Sequence, residues 1–503
     1  MTVLGWLMIH ALFVAAGGGL LAALGMVRPT WCSALWAVGP AYLVGVALVV
    51  LPLIALGVVG VTVSLATILV VALLEACGLL ALAAMRGELG RAALPTVIDE
   101  LRAERVLIAV LVIGVVGFLL FAGASLTDAP IGWDAAHMWE LKTLALYHFD
   151  GVADQLFTNV GRLAPFHMDY PLMQPMFEAT IYHGLGHEAV QYVHVELWGL
   201  WAAAVWTAAW LLAPGRRVMT WLPFVAAIGV AGGPLNSPTL GNADLTAGLF
   251  VGLGALGLGL WLEKRQAPHL VLGALFLAAG ANGKKEGLVF AAAVVVAAGA
   301  VLLGLRAWWA LGRLAIAGVS ALVFVAPWLI YVRANHLPSG DTTPLSTIFS
   351  GSYLIDRIDR LGPSIESTLS WLVKPNWTYA APALLAAAVM CFLVRYARPL
   401  AAYYVTAVAL MICALLWIYW TGNFGDLPTW LSLTGSRVVG SMAITSAFGV
   451  AQIASSLLAT RGAEPLAPNE PEPEHNATPE RLALSGRARA GSLPASPAQS
   501  PTK

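Results

Sequence analysis

Long apolar runs separated by short polar segments dominate the chain. A helix needs about 20 apolar residues to cross a bilayer, and the sequence holds runs of that kind from end to end. We predict about thirteen membrane-spanning helices, with a range of 11–13, near 3–25, 35–57, 59–84, 106–125, 189–213, 218–235, 243–262, 268–283, 286–305, 312–333, 379–396, 400–420 and 438–459. The pair at 268–305 could also be one long helix broken at Gly283–Gly287. The pattern therefore predicts an all-α polytopic membrane protein.

Composition agrees with this prediction. Hydrophobic residues make up 59% of the 503 residues and charged residues only 11%, whereas a soluble domain carries about 25% charged residues. The formal net charge is +0, which gives no indication of a nucleic-acid partner.

The distribution of Lys and Arg predicts the orientation. With the N-terminus outside, 18 basic residues fall on the inner side or in the tail and 9 on the outer side, as the positive-inside rule favours. Only six of the 27 basic residues are Lys, a bias associated with GC-rich bacterial genomes. We therefore expect a bacterial inner membrane protein with its N-terminus outside. Residues 460–503 are rich in Pro, Glu, Ala and Ser and predict a disordered cytoplasmic tail.

The outer loop 126–188 carries the first candidate site. Between Ala129 and Gly151, apolar residues recur at three- and four-residue steps, which predicts an amphipathic helix lying along the membrane surface. Asp134 stands at its start and is either a helix N-cap or a general base. His137 and Lys142 project from a nearby face.

A second cluster in the same loop comprises Arg162 and the sequence His167-Met168-Asp169-Tyr170-Pro171. Asp169 lies two residues before a proline, in a segment that we expect to be extended or in a turn. Six of the ten histidines lie between 137 and 194, and His183 and His187 have helical spacing. This clustering permits a metal site, although interfacial histidines are more often amphipathic filler.

Three further outer positions carry charge at the ends of apolar runs. Asp244 opens one span, Lys284, Lys285 and Glu286 form a charged triplet, and Arg437 is expected to begin the last span. Each charge would cost about 2.5–3.5 kcal/mol at the bilayer centre. The triplet is therefore an interfacial anchor or lines a wet cavity.

Carboxylates, cations and aromatic residues are thus predicted to converge on one side of the membrane. Cations can neutralise the charge of a phosphate group, and a carboxylate can deprotonate an acceptor hydroxyl. Apolar walls that open to the bilayer can accommodate a lipid tail. This combination favours a reaction on a lipid-linked anionic substrate.

Five motifs, in this order, resemble the GT-C superfamily of integral-membrane glycosyltransferases: GWDAAHMWELKTLALY, HMDYPLMQP, GNADLTAGLF, GKKEGLVF and LSLTGSRVV. The nearest resemblance is to bacterial members allied to the protein O-mannosyltransferases and the lipid A aminoarabinose transferases. It covers roughly 106–459. In such enzymes an acidic residue of the first large outer loop serves as base or helps to bind a metal, and the donor is a sugar on a polyprenyl phosphate.

The resemblance implies roles for the outer residues. Asp134 would be the base and Asp169 the second acid, while Lys142, Lys284, Lys285 and Arg437 would hold the donor phosphate. We assign six others to substrate binding: Trp133, His137, His167, Tyr170, Asp244 and Glu286. A divalent cation (Mg or Mn) is compatible with the sequence but not required by it. The partners implied are the lipid donor and a periplasmic glycan, lipid or protein acceptor.

The chain also departs from the family pattern. The acidic loop follows the fourth predicted span instead of the first, so residues 1–105 look like an N-terminal addition of three helices. The usual Asp-Glu pair is absent, because Ala135 follows Asp134, and Asp128 stays an alternative base. Two other functions stay open, namely a secondary transporter or lipid flippase, and a polysaccharide polymerase or ligase using lipid-diphosphate donors.

Overall fold

The computed structural model is largely helical, with no strand among the residues that it describes. It describes residues 2–27, 31–88, 116, 119–120, 123, 132–152, 154–158, 166–212, 241–337, 343, 345–374, 379–393, 397–423 and 425–459. The predicted spans 106–125 and 218–235, the tail 460–503, and the candidates Asp128 and Arg162 lie wholly or largely outside this set.

Eighteen α-helices are described, numbered here in chain order, with a π-helix at Ala135–Glu140 and a 3-10 turn at Ile358–Arg360. They are α1 Thr2–Ala23, α2 Trp31–Trp36, α3 Val38–Val58, α4 Leu65–Met85, α5 Leu141–His148, α6 Asp154–Phe157, α7 Met173–Leu185, α8 Val190–Leu212, α9 Ala243–Lys264, α10 Ala267–Ala281, α11 Lys285–Gly304, α12 Trp308–Ala334, α13 Leu345–Ile348, α14 Gly351–Ile355, α15 Leu361–Leu372, α16 Ala380–Leu393, α17 Arg398–Thr421 and α18 Leu427–Ala459.

Nine of the described helices are long and apolar enough to cross a membrane: α1, α3, α4, α8, α9, α11, α12, α17 and α18. This confirms a multi-pass helical membrane protein. Two other predicted spans correspond to α10 and α16, which are apolar but only 15 and 14 residues long. The segment 268–305 is two helices, α10 and α11, because the chain leaves helical geometry between Ala281 and Lys285.

The last helix begins earlier than predicted. We expected it near 438, with Arg437 at its start, but α18 begins at Leu427. Asp426 explains the early start, because its carboxylate accepts a hydrogen bond of 3.0 Å from the Thr429 N–H and so satisfies a free donor of the first turn. In the polar stretch that follows, Thr434 Oγ1 donates within the helix to the Trp430 carbonyl, 2.8 Å away.

The N-terminal helices pack directly against later parts of the chain. Helices α1 and α3 approach so closely that a Cβ on Gly45 would lie 1.7 Å from the Phe13 carbonyl oxygen. At the start of α1, Trp6 Nε1 donates to Glu196 Oε1, 2.6 Å away on α8. The described residues up to Ala459 form one compact unit, in which the segment predicted as an N-terminal addition shares the core.

The predicted amphipathic helix is a π-helix continued by α5, and its buried face packs on α7. Thr143 Oγ1 donates to Glu178 Oε2 at 2.7 Å, and Tyr182 OH donates to Glu140 Oε1 at 2.8 Å. Gln174, also on α7, donates at 2.9 Å to the carbonyl of Gly241, just before α9. These buried hydrogen bonds fix the 132–148 segment relative to the start of α9.

Candidate functional site

A cavity of about 990 Å³ lies where several helix ends meet. Helices α9 and α11 begin beside it and α17 ends beside it, because residues at those ends line its wall. Nine of the twelve residues that we assigned from sequence line this cavity: Trp133, Asp134, His167, Tyr170, Asp244, Lys284, Lys285, Glu286 and Arg437. Five separate stretches of chain therefore supply one site.

Lys284 is the most enclosed cation of the cavity. Its ammonium lies 2.7 Å from Asp244 Oδ1 and 3.4 Å from Glu286 Oε1, and the side chains of Lys284 and Asp244 are 8% and 6% exposed. Burial alone would lower the pKa of Lys284, but the two carboxylates outweigh burial and raise it above its ordinary value. Lys284 is therefore a permanent positive charge in the cavity wall.

Arg437 and Asp134 form a second ion pair, between Arg437 Nη1 and Asp134 Oδ2. The N-cap interpretation of Asp134 is wrong, because its backbone is helical and its side chain makes no capping hydrogen bond. The π-helix begins at the next residue, a distortion that is frequent at functional sites. The carboxylate is therefore directed to a residue of α18.

Aromatic rings surround two lysines behind the π-helix. Lys142 Nζ donates to the His167 carbonyl at 2.6 Å and lies 5.0 Å from the Trp139 ring centre and 5.5 Å from that of Tyr170. Lys285 Nζ lies 4.8 Å from the same Tyr170 ring. Burial lowers the pKa of Lys142 to about 7, with Asp169 opposing this effect and Lys285 adding to it. One tyrosine thus contacts two cations, one of which is only partly charged near neutral pH.

Three assigned residues do not line the cavity. Lys142 is fully buried behind Tyr170 and Trp139. His137 is exposed and stacks on Trp133 with ring centres 4.6 Å apart. Asp169 makes an ion pair with Lys285 and lines a neighbouring cleft of about 910 Å³.

That cleft shares Lys285 with the cavity. It is formed mainly by the ends of α10 and α12, and apolar side chains such as Leu288, Val325 and Leu329 contribute to its wall. Trp328 on α12 donates from Nε1 to the Asp169 carbonyl at 3.1 Å, which fixes α12 beside the 167–170 turn. The cleft is thus an apolar groove with an ion pair at one point of its wall.

Sequence reasoning missed the wall supplied by α17 and α18. Trp417, Thr421 and Gly422 at the end of α17 and Trp430 near the start of α18 line the cavity. Aromatic residues at the end of a span are expected at any membrane interface, so their sequence carried no specific signal. The signal that could have been used is the accumulation of Trp, Tyr and Thr in WIYWTG, directly before a polar turn.

Several polar atoms at the site have no protein partner in the described structure. They include the acceptors Asn242 Oδ1 and Glu286 Oε2 in the cavity, the acceptor Asp169 Oδ1 beside it, and the donor Arg437 Nε. Buried polar atoms nearly always have partners. The site therefore holds buried hydrogen-bonding capacity that no protein group among the described residues uses.

The described residues contain no group of three or more His, Cys, Asp and Glu side chains placed to hold a metal ion. The helical spacing of His183 and His187 is not realised, because α7 ends at Leu185 and Gly186 is left-handed, with φ 76°. His183 instead lies 3.9 Å from Asp150 Oδ1, and His187 Nδ1 lies 2.8 Å from the Glu188 carbonyl oxygen. The charges identified at the cavity are thus side-chain cations and carboxylates.

Comparison with known proteins gives no relative: no family model, no curated protein and no solved structure matches the chain.

Proposed function

We propose that the protein is an integral-membrane glycosyltransferase of GT-C type. It moves a sugar from a polyprenyl-phosphate donor to a hydroxyl of a cell-envelope glycan, lipid or protein on the periplasmic face. The observation that carries the proposal is the single cavity in which carboxylates, cations and aromatic rings meet at one end of an apolar helical bundle. The Lys/Arg distribution supports the periplasmic side.

The size and walls of the cavity suit such substrates. Ligand cavities typically measure about 300–1,000 Å³, and this one reaches about 990 Å³. Trp133 and Trp417, which are less buried than the other rings of the wall, offer flat apolar faces for sugar rings. The neighbouring apolar cleft, joined to the cavity at Lys285, suits a lipid chain.

Asp134 is our choice for the base. Among the acidic residues lining the cavity its side chain is the most exposed, at 23%, compared with 16% for Glu286 and 6% for Asp244. An acceptor hydroxyl can therefore reach it most readily. Its ion pair with Arg437 of α18 positions the carboxylate at the cavity wall.

The chemistry would be a single inverting displacement. Asp134 takes the proton of the acceptor hydroxyl as the oxygen attacks the anomeric carbon. The bond from that carbon to the phosphate oxygen breaks, and its electron pair leaves with the polyprenyl phosphate. Positively charged groups close to the departing phosphate would stabilise the charge that it gains.

The test is turnover of a panel of synthetic polyprenyl-phosphate sugars by purified protein in lipid nanodiscs. Candidate acceptors are supplied, with EDTA and added Mn²⁺ as a second axis. We expect release of polyprenyl phosphate and a loss of about 10²–10⁴-fold in Asp134→Asn, the range for a lost general base. Asp150→Asn is the matched control, since Asp150 is 48% exposed and does not line the cavity.

Turnover of Asp134→Asn within a few-fold of the wild type would refute the assignment of the base. Release only from lipid-diphosphate donors would indicate a polymerase or ligase. Proton-coupled uptake in vesicles that survives Asp134→Asn, with no release from any donor, would indicate a transporter or flippase.

A further inference from the structure

The cations that line the cavity are already neutralised by the protein's own carboxylates. Each lies against at least one of them: Arg437 against Asp134, Lys284 against Asp244 and Glu286, and Lys285 against Asp169. A phosphate monoester carries about −1.5 to −2 charges at neutral pH and is bound most strongly by groups whose positive charge is not already compensated. The cavity wall alone therefore offers little net positive charge for a lipid phosphate.

Uncompensated positive charge lies instead at the rim, on the segment between α14 and α15. Arg357 Nη1 and Arg360 Nη1 both donate to the carbonyl oxygen of Gly422, at 2.7 and 2.5 Å. Arg357 Nη2 also donates to Asn423 Oδ1 at 2.9 Å. Both acceptor atoms are neutral, so these three hydrogen bonds neutralise neither guanidinium.

No carboxylate of the described residues lies within ion-pair distance of either guanidinium. Asp359 is adjacent in sequence but exposed, and it acts on Arg360 only at longer range. Burial and the charge of Arg357 lower the pKa of Arg360 below its ordinary value. Since a guanidinium has five N–H donors, most of the ten in this pair stay available.

The two arginines lie at the edge of the cavity. Both arginines donate to the carbonyl of Gly422, and Gly422 lines the cavity. Trp430 also lines the cavity, and its ring centre lies 5.9 Å from the Arg360 guanidinium. A Cβ on Gly422 would lie 2.4 Å from the Trp430 ring, so only glycine permits this approach. The Arg357 guanidinium lies 4.5 Å from the ring centre of Tyr353.

We propose that Arg357 and Arg360 form an anion-binding site at the cavity rim that takes the phosphate of a polyprenyl phosphate. The identity of the lipid rests on the proposed function, whereas the phosphate specificity does not. Two adjacent planar guanidiniums offer parallel N–H pairs that match phosphate oxygens. The site would bind the phosphodiester that links sugar and polyprenol in the donor. It would bind more tightly the polyprenyl phosphate monoester that is released when the sugar is transferred.

The experiment measures binding of polyprenyl phosphate and of uncharged polyprenol to the full chain in phosphatidylcholine nanodiscs. The wild type is compared with the double variant Arg357→Gln/Arg360→Gln. We expect the double variant to bind polyprenyl phosphate at least about tenfold more weakly, because two charge-assisted contacts are lost. Its affinity for polyprenol should not change. The wild-type affinity for the phosphate should also fall with rising salt, and that of the double variant much less.

Three control variants separate charge from loop structure. Tyr353→Phe removes the 2.7 Å hydrogen bond from the Tyr353 hydroxyl to the Thr421 carbonyl in the same loop contact and leaves both charges in place. Lys374→Gln removes a cation just after α15 that lies over Trp371 and does not line the cavity. Arg357→Lys/Arg360→Lys keeps the charge but not the planar fork, so its affinity for polyprenyl phosphate should fall between those of the wild type and the double Gln variant.

The proposal is overturned if the double Gln variant binds polyprenyl phosphate as the wild type does, or if Tyr353→Phe reproduces its loss. Inorganic phosphate that binds as tightly as the lipid would overturn the lipid assignment and indicate a soluble phosphate ligand. Sugar transfer that fails with every donor, while phosphate binding still needs both arginines, would refute only the glycosyltransferase. Transfer at the wild-type rate by the double Gln variant would refute only the phosphate site.

Discussion

The ion pair between Asp244 and Lys284 should be strongly coupled, so that removal of either partner destabilises this protein. The two charged atoms are 2.7 Å apart, and both side chains are less than 10% exposed. At an effective dielectric constant of about 20 their Coulomb attraction is roughly 6 kcal/mol. Most of that attraction offsets desolvation, whereas removal of one partner of a buried pair typically costs about 3–5 kcal/mol.

The two single substitutions should differ in cost. Asp244→Asn leaves Lys284 with Glu286, 3.4 Å away, so we expect a loss of about 2–3 kcal/mol, below the usual range. Lys284→Met leaves both carboxylates without their cation, and we expect about 3–5 kcal/mol. The double variant should be more stable than the sum of the singles implies, with a coupling energy of roughly 1.5–3 kcal/mol.

Unfolding of the purified protein by SDS titration in mixed micelles gives the four free energies of this cycle. The exposed pair His148–Glu188 provides a matched control, because its atoms are 2.8 Å apart but both side chains are 55% exposed. Exposed pairs contribute about 0–1 kcal/mol. If the buried cycle gave a coupling no larger than the exposed one, the claim that burial makes this pair strong would be refuted.

Two further predictions concern stability. Burial lowers the pKa of Lys142 to about 7 in the folded protein. Between pH 7 and the ordinary pKa of a lysine, the unfolded chain therefore binds more protons than the folded protein does. The free energy of unfolding should then rise with pH above 7, by up to about 1.4 kcal/mol per pH unit. Unfolding at pH 7 and pH 9 should show this rise in the wild type and not in Lys142→Met; parallel behaviour of the two would contradict it. Gly45→Ala should cost about 1–3 kcal/mol, because the new Cβ would lie 1.7 Å from the Phe13 carbonyl. Gly18→Ala is the control and should be neutral or stabilising, since its Cβ would meet nothing closer than 3.9 Å. Equal melting temperatures for Gly45→Ala and Gly18→Ala in thermal unfolding would refute the close-packing argument.

Local features of the sequence were sufficient for the class of the protein. A span is defined by its own apolar residues, so nine predicted spans appear as helices of membrane-crossing length. The sequence left the charged triplet at Lys284–Glu286 either as an interfacial anchor or in a wet cavity, because three charges are costly in the bilayer core; the structure places all three residues in the cavity wall. Most of the residues chosen for the site do share one cavity.

Errors arose where a local signal competed with a distant partner. Asp134 has the sequence position of an N-cap, but its carboxylate forms an ion pair with Arg437, about 300 residues away. The predicted start of α18 lies too far along the chain, because the polar residues of its first turns resemble a loop in sequence. In the structure these turns are helical, and Asp426 caps them.

The sequence by itself therefore determined that the chain is built of apolar helices with charged residues near their ends, since hydropathy and charge are properties of each segment. Only the tertiary structure decided which charges neutralise one another. It left Arg357 and Arg360 at the cavity rim without a carboxylate within ion-pair distance among the described residues. The physical reason is that an ion pair depends on a separation of a few ångströms between residues far apart in sequence, and helix packing alone sets that separation.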